Sequence, residues 1–368
     1  MRKICDFVWT LFFLCILQLI SGNLVYAGED SFMELYFAEE FTAEYLENGC
    51  TLVNIEGEKP FLLVPEDEEI PEDAGKECVI VRTPLKSVYA ASSSAMDLFL
   101  HAGAIDAVSM TSTSAENWSV PEIASLVRED EITYVGKYDA PDYEMIMDIG
   151  ADLAVENMMI SHSPETRDML EKLGIPVLVE RSSYESHPLG RLEWIRLYGL
   201  LTGTSEEADR FFSESMEAVE RMEEEKGEPL SVAFFSVTSG GTVSIRTPED
   251  YIAKMVELAG GTYLFPEEGH AGGTGSSMNI QMENFYVLAK DADILIYNGT
   301  IQGELSRMDE LLEKSPLFAD FTAVKEGRVW CTGQNIFQQV SGTAEMISDF
   351  HRVISGSDEP LTYLHRLE

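Results

Sequence analysis

The chain is 368 residues long, with 65 acidic against 25 basic residues and a formal net charge of −40. That length suffices for two ordinary domains, each with its own core. So acidic a surface repels nucleic acid and anionic lipid, which removes both from the set of partners.

Residues 1–27 belong to neither domain. Arg2 and Lys3 precede the apolar run Phe7 to Ile20, and Val25-Tyr26-Ala27 supplies a small-x-small cleavage signal. This is the pattern of a secretory signal peptide, too short for a comfortable membrane span. Its retention as an N-terminal anchor is the alternative. Cys15 follows Phe12-Phe13-Leu14 inside the run with no small residue before it, so a lipid-attachment site is not evident. Without this segment, which holds Arg2, Lys3 and Asp6, 23 basic and 64 acidic residues remain, a net charge of −41. The expected product is a soluble exported protein, in the periplasm or on the extracytoplasmic face of the cell membrane. Cys50, Cys78 and Cys331 are too few for a disulfide framework. A Cys50–Cys78 bridge and a pair of buried small hydrophobes are both open.

Residues 28–82 alternate β-like runs with acidic turns, at Cys50 to Ile55, Pro60 to Val64 and Cys78 to Val81, which predicts a small antiparallel ribbon. Ser87 to Ala91 is a strand, followed by an amphipathic helix through Asp97, Leu98, Leu100 and Ala102 that ends at Gly103. Val108 to Met110 begins a strand with a polar loop after it, Thr111 to Pro121. Tyr134-Val135-Gly136 is extended and Asp142 to Ile149 helical. Asp152 to Glu156 is a strand, Pro164 to Leu173 a helix and Ile175 to Glu180 a strand. Strand and helix alternating at short spacing mark a parallel sheet covered on both faces.

Ser205 to Lys226 is one long helix. Thr204 and Glu207 form a T-x-x-E capping box, and Gly227 and Pro229 stop it. Ala208, Phe211, Phe212, Ser215, Val219 and Met222 make one apolar stripe at three- and four-residue spacing. The alternation then resumes. Ser231 to Ser236, Ile294 to Tyr297 and Val329 to Cys331 are strands. Pro248 to Ala259, Gln281 to Lys290, Met308 to Lys314 and Ala344 to Ile354 are helices. One quasi-repeat relates the halves: the helix at Pro141-Asp142-Tyr143-Glu144 followed by Ala151-Asp152-Leu153, and that at Gln281-Met282-Glu283 followed by Ala292-Asp293-Ile294. The fold expected is α/β, two Rossmann-like lobes joined by a single long helix, with a ligand cleft between the lobes. Its divisions are 1–27 signal peptide, 28–82 N-terminal extension, 83–204 first lobe, 205–226 linking helix and 227–368 second lobe.

No H-E-x-x-H, C-x-x-C, G-x-S-x-G or P-loop pattern occurs, so no catalytic residue, resident metal or cofactor is assigned. Gly240-Gly241 and Gly272-Gly273 lie in polar loops without a phosphate-cradle pattern and read as points of flexibility. Open α/β sheets bind ligands at the carboxyl ends of their strands. There the first lobe carries Trp118, Tyr138, His162 and the run from Glu180 and Arg181 through Tyr184 to His187. The second carries Ser239, Arg246, His270, Asn298, Gln334 and Asn335. Arginine suits a carboxylate-bearing ligand and histidine a metal. Ordinary surface polarity is the plain alternative for each residue alone, but residues 180–187 are denser in functional types than a connector needs.

Residues 78–356 resemble the substrate-binding proteins of ABC importers, in the class handling iron–siderophore complexes, haem and vitamin B12. The resemblance rests on Ser93 to Asp106, with His101-Ala102-Gly103-Ala104 closing its helix, on Val135 to Glu144, and on Gly150-Ala151-Asp152-Leu153. Leu173-Gly174-Ile175-Pro176-Val177, Tyr198 to Gly203 and Glu257-Leu258-Ala259-Gly260-Gly261 complete it, in this order and spacing. It implies two α/β lobes bridged by one long helix, and a docking glutamate on each lobe that meets arginines of the membrane permease. By motif position these are Glu144 and Glu283. Asp97 stands where the family commonly has glutamate, a minor departure. The implied function is a monomeric exported protein without enzymatic activity that captures an iron- or cobalt-chelate and delivers it to an ABC permease. A ferric siderophore or haem is the first choice, with a corrinoid such as cobalamin, or a bare metal ion, as the alternative. His162, His187 and His270 would ligate a haem or metal if they converge. The rivals are a secreted metal-dependent hydrolase or chelatase, and a sensor or adhesin borrowing the fold.

Overall fold

The computed structural model describes residues 31–72, 74–224, 227–266 and 276–368. The signal segment, Glu225-Lys226, His270 and Gly272-Gly273 lie outside the described residues. Five strands of the first lobe form one parallel sheet, in the order Val177–Glu180, Leu153–Asn157, Val88–Ala90, Val108–Thr111, Thr133–Tyr134. The chain begins in the middle, winds to one edge, then crosses back to build the other. This doubly wound order places its reversal between Val88–Ala90 and Leu153–Asn157, where a crevice opens at the carboxyl ends. Val88–Ala90 and Val177–Glu180 are buried at every residue, as continuous apolar strands covered on both faces must be. Tyr134-Val135-Gly136 is not one strand. After Thr133–Tyr134 the chain turns into a tiny hairpin, Gly136–Lys137 against Ala140–Pro141. Gly136 has φ +94°, and a Cβ there would meet Ala140 O at 3.0 Å.

The second lobe keeps three parallel strands at its centre, Ser231–Val237, Ile294–Tyr297 and Val329–Thr332. Antiparallel strands extend it, Val243–Arg246 and Ser277–Ile280 on one side and Leu364–Arg366 on the other. These three were not anticipated. Gly240-Gly241 forms the turn of the hairpin joining Ser231–Val237 to Val243–Arg246, with the Gly241 N–H donating to Thr238 O at 2.9 Å and Gly241 at φ +78°. It is a tight turn and not a point of looseness.

The quasi-repeat has one physical job in both lobes. The Asp152 carboxylate accepts from the Lys86 and Ser87 N–H groups at 2.8 and 2.9 Å, fixing the start of the first strand. Asp293 accepts from the Ser231 N–H and hydroxyl at 2.8 and 2.6 Å, fixing the start of its own.

The linking helix runs Ser205–Glu224 and is about 30 Å long at 1.5 Å per residue. Ala208, Phe212 and Val219 of its stripe are buried. It packs on Pro188–Thr202, a helix the periodicity did not reveal because it is buried nearly all round. The two approach closely enough that a Cβ on Gly199 would stand 2.6 Å from the Ala208 Cβ. Helices Ser93–His101, Tyr251–Leu258 and Thr343–Ser355 complete this layer. One apolar cluster runs through it from Val88 and Phe99 by Leu192 and Phe212 to Phe234, Ile294 and Phe350. Each lobe also keeps an outer core of its own, around Tyr89 and Ile146 in the first and Phe235 and Phe318 in the second, while the inner faces of both sheets share the central one.

The extension is a four-stranded sheet, Phe41–Tyr45, Thr51–Ile55, Phe61–Pro65 and Val79–Thr83. Its first three strands form an antiparallel meander, but the last pairs parallel to its neighbour, so it is not a purely antiparallel ribbon. Phe41 meets the Trp194 ring edge-on at 5.0 Å, and Arg167 pairs with Glu58 through two bonds of 2.6 and 3.1 Å. Cys50, Cys78 and Cys331 are free thiols.

Five consecutive backbone N–H groups leading into this sheet, residues 36–40, donate to two buried carboxylates. Glu193 takes those of Tyr36, Phe37 and Ala38 at 2.8–2.9 Å, with Arg196 as its counter-ion at 3.1 Å. Glu185 takes those of Glu39 and Glu40 and the Trp194 indole N–H. Burial raises the Glu185 carboxyl while these donors hold it down. Glu193→Ala orphans three N–H groups and leaves Arg196 without its buried partner. It is expected to cost roughly 3–5 kcal/mol in denaturant unfolding, with faster amide exchange confined at first to residues 31–45. A loss under about 1 kcal/mol contradicts this account.

Candidate ligand-binding cleft

The loops at the carboxyl ends of the two parallel sheets carry most of the candidate residues, and the structure divides them into tied and available groups. Glu180 ends its strand fully buried. Its carboxylate accepts from the Ser92 hydroxyl at 2.8 Å, from the Ser94 hydroxyl, and from the Ser182 N–H at 2.8 Å. It joins the exits of two strands across the sheet, a scaffold use of that carboxylate. His187 caps the helix Pro188–Thr202, its Nδ1 accepting from the Leu189 N–H at 3.2 Å, and its ring stacks on Phe37 at 4.3 Å. Arg181 pairs with Glu40, reaches the Met158 sulfur at 3.5 Å and lies 4.7 Å over the Tyr184 ring. The density of functional types in residues 180–187 thus has a structural use: the run clamps the N-terminal segment. Tyr184 is the exception at 51% exposed.

His162, at the end of the turn Met158–His162, is exposed, and Tyr138 is half-buried beside the outer core of the first lobe. Trp118 is buried, its indole N–H donating to Thr113 O at 3.1 Å. In the second lobe Asn298 caps a helical turn, its side-chain oxygen accepting from the Thr300 N–H and hydroxyl at 3.2 and 2.7 Å. This too is scaffold. Arg246 lies 5.0 Å over the Phe337 ring and 3.5 Å from Asp250. Gln334 donates to Gly299 O at 2.9 Å and Asn335 to Gln339 at 2.9 Å. Ser239 is exposed. His270 lies outside the described residues. Among the described residues no group of three His, Cys, Asp or Glu side chains is placed to hold a metal.

Among the described residues, bonds cross between the lobes at the cleft and deeper, on residues the sequence did not single out as contacts, and the Arg191 guanidinium lies 3.9 Å over the Tyr251 ring. At the cleft, Gln338 accepts from the Ser119 N–H at 2.7 Å and from its hydroxyl, and donates to Asn117 O at 2.9 Å. The loop carrying Trp118 is thereby joined to the turn carrying Gln334. Deeper, the Asp97 carboxylate accepts from the Ser341 N–H and hydroxyl at 2.7 and 3.1 Å, with His101 Nδ1 at 3.6 Å. Asp97 is fully buried; burial raises its carboxyl, while Ser341 and His101 act against the rise. It makes a buried joint between the lobes.

A periplasmic binding protein family model matches residues 87–335. The chain belongs to that family. It is 24% identical over 318 residues to an uncharacterized lipoprotein of Methanocaldococcus jannaschii, covering 82% of this chain and 73% of that one. Its fold is similar to a periplasmic haem-binding protein of Pseudomonas aeruginosa, with a TM-score of 0.60 at 15% identity, covering 77% and 98% of the two chains. It is also similar to a periplasmic vitamin B12-binding protein of Vibrio cholerae, with a TM-score of 0.53 at 14% identity, covering 75% and 99%. The family is a solute-binding class, and two lobes meeting at strand carboxyl ends are what such a protein requires. The extension and the last strand of this binding protein lie beyond the matched residues.

Glu144 and Glu283 are both exposed, each in the first turn of its helix, Tyr143–Ile149 and Met282–Ala289. Among the described residues neither side chain is committed to an ion pair. Among the described residues no helix is long and apolar enough to cross a membrane.

Glu156 was missed as a special residue because it sits inside an apolar strand signal. It lies at the carboxyl end of Leu153–Asn157, fully buried, and neither carboxyl oxygen has a hydrogen-bond partner. Burial alone pushes it up to about 8, and its field helps raise the neighbouring Tyr89 phenol. The unfolded chain ionises this group near 4.5, whereas the folded protein holds the proton until about 8. The stability it contributes is full below the lower value and lost as pH rises through the upper one. Melting temperature is therefore expected to fall between pH 5 and 8, and Glu156→Gln to flatten part of that slope. An identical slope in wild type and variant rules out Glu156 as its source.

Proposed function

We propose that this binding protein is the extracytoplasmic capture subunit of an ABC importer and that its cargo is a metal chelate, a ferric siderophore or haem. The observation that carries the reading is the division at the cleft. The scaffold residues are bonded to one another, which leaves Tyr184, Tyr138, His162, Ser239 and the faces of Arg181 and Arg246 as the side chains for a ligand. Aromatic rings beside guanidinium groups suit a planar or catecholate-like chelate bearing carboxylates. The haem- and B12-binding proteins of like fold support the chelate class, and B12 or a bare metal is the second reading. The chemistry is binding alone, with no covalent step.

Capture needs little rearrangement. The lobes share a core and a buried Asp97–Ser341 joint, so opening is borne by the partly exposed Ser119–Gln338 bridge. Delivery would use Glu144 and Glu283, two exposed carboxylates on separate lobes, which fix orientation on a permease where the diffuse acidic surface only steers encounter.

A thermal-shift screen of the purified protein tests the cargo, with ferric siderophores, haem, cobalamin and free divalent metals as probes. A true ligand at a hundredfold excess over its Kd adds about 2.7 kcal/mol of stability. A shift with siderophore or haem is expected. A shift with cobalamin or bare metal alone reassigns the cargo, and no shift with any chelate removes the proposal. The paired variant Glu144→Ala, Glu283→Ala is expected to keep the ligand shift and lose stimulation of the permease ATPase.

A further inference from the structure

The strand Val329–Thr332 leads toward Gln334 and the cleft at its carboxyl end; its other end has a different character. There a cavity of about 200 Å³ is lined by Arg328, Arg352 and Arg366, with Trp330 and Leu361 as apolar walls. In a chain of 25 basic against 65 acidic residues, three arginines on one cavity stand out.

The three are not equivalent. Arg352 is fully engaged, 2.6 Å from Glu345, 3.0 Å from Asp349 and 3.2 Å from Glu359. Arg366 donates through Nε to Gly327 O at 2.7 Å and lies 5.7 Å over the Trp330 ring, with no carboxylate paired to it among the described residues. Arg328 makes no hydrogen bond among the described residues. It acts through space on Asp293, whose carboxylate is already bonded by Ser231. One acid, Asp358, also lines the cavity.

The register explains why the two uncommitted guanidinium groups converge. Trp330 pairs with Arg366 across the antiparallel ladder. Arg328, two residues before Trp330, is on the same face and diagonal to Arg366, a spacing of roughly 7–8 Å between backbones. Two forks at that spacing can close on one oxyanion, and guanidinium matches carboxylate and phosphate through paired bonds.

We propose that this cavity is an anion site, distinct from the cleft, which takes a small carboxylate or phosphate between Arg328 and Arg366. Trp330 backs Arg366 and reports occupancy. The proposal does not depend on the nature of the cleft cargo.

The test is a titration of the purified protein with sodium phosphate and with citrate at constant ionic strength, against sodium chloride, reading tryptophan emission and melting temperature. A saturable response to phosphate or citrate, absent with chloride, is expected, and which of the two acts separates phosphate from carboxylate recognition. Arg328→Gln and Arg366→Gln should each weaken binding at least tenfold. Arg128→Gln, an exposed arginine elsewhere, should leave it unchanged. Trp330→Phe should retain the thermal response while losing the emission change. The proposal is overturned if wild type responds to both oxyanions no more than to chloride, a result needing no variant. Wild-type binding by folded Arg328→Gln and Arg366→Gln proteins also overturns it.

Discussion

The shared apolar layer between the two sheets is the constraint on which the rest of the structure depends. Helices Ser93–His101, Pro188–Thr202, Ser205–Glu224, Tyr251–Leu258 and Thr343–Ser355 are packed against one another and against the inner faces of both sheets. A hinge made of a flexible linker would let each lobe keep its own core and move as a body. Here rotation of one lobe would expose side chains such as Phe212, Ile252 and Phe350, each removed from water at roughly 1.5–3 kcal/mol. The long helix is less a tether than the middle of a continuous interior.

Acidic residues supply the polar counterpart of that layer. A net charge near −40 reads as a solvated acid surface, and most of the carboxylates are that. Some, buried or not, do something else: they accept backbone N–H groups that no strand or helix satisfies. Glu193 and Glu185 hold residues 36–40, Asp152 and Asp293 hold the first strand of each lobe, and Asp97 holds the turn at Ser341. A carboxylate can accept from several donors at once, so one side chain fixes a whole segment. Glu156 shows the converse, a buried carboxyl without donors, which keeps its proton instead.

How much was legible follows from the same physics. Alternating short strands and helices, and the stripe on Ser205–Glu224, exposed the α/β class and nearly every central element, because pattern and burial agree there. The helix Pro188–Thr202 was hidden because an element buried on all sides has no period to read. The antiparallel strands at Val243–Arg246 and Ser277–Ile280 were hidden because short mixed sequences at a sheet edge lack a continuous apolar run. For the site, types of residue were legible and their commitments were not. Glu180, His187 and Asn298 look like ligand contacts in sequence, yet each is used by a neighbour distant in the chain or by a local cap. Gln338 gave no signal and Asp97 only that of a residue standing where glutamate is common, since their importance lies in partners from the other lobe, more than 200 positions away.

The two inter-lobe joints differ in how easily they yield. The Asp97–Ser341 joint is buried, so breaking it leaves a carboxylate and a backbone N–H without partners in a low-dielectric interior, a severe cost. The Gln338 bridge is partly exposed, and water can replace each of its bonds at small net loss. Opening at the cleft mouth is therefore far easier than rotation about the core. A ligand captured as proposed would displace Gln338 from Ser119 and meet loops whose strand exits are bonded by Glu180 and Asn298. The ligand site can then be adjusted by changing exposed loop side chains, while the buried carboxylates and the shared core hold the lobes in one relation.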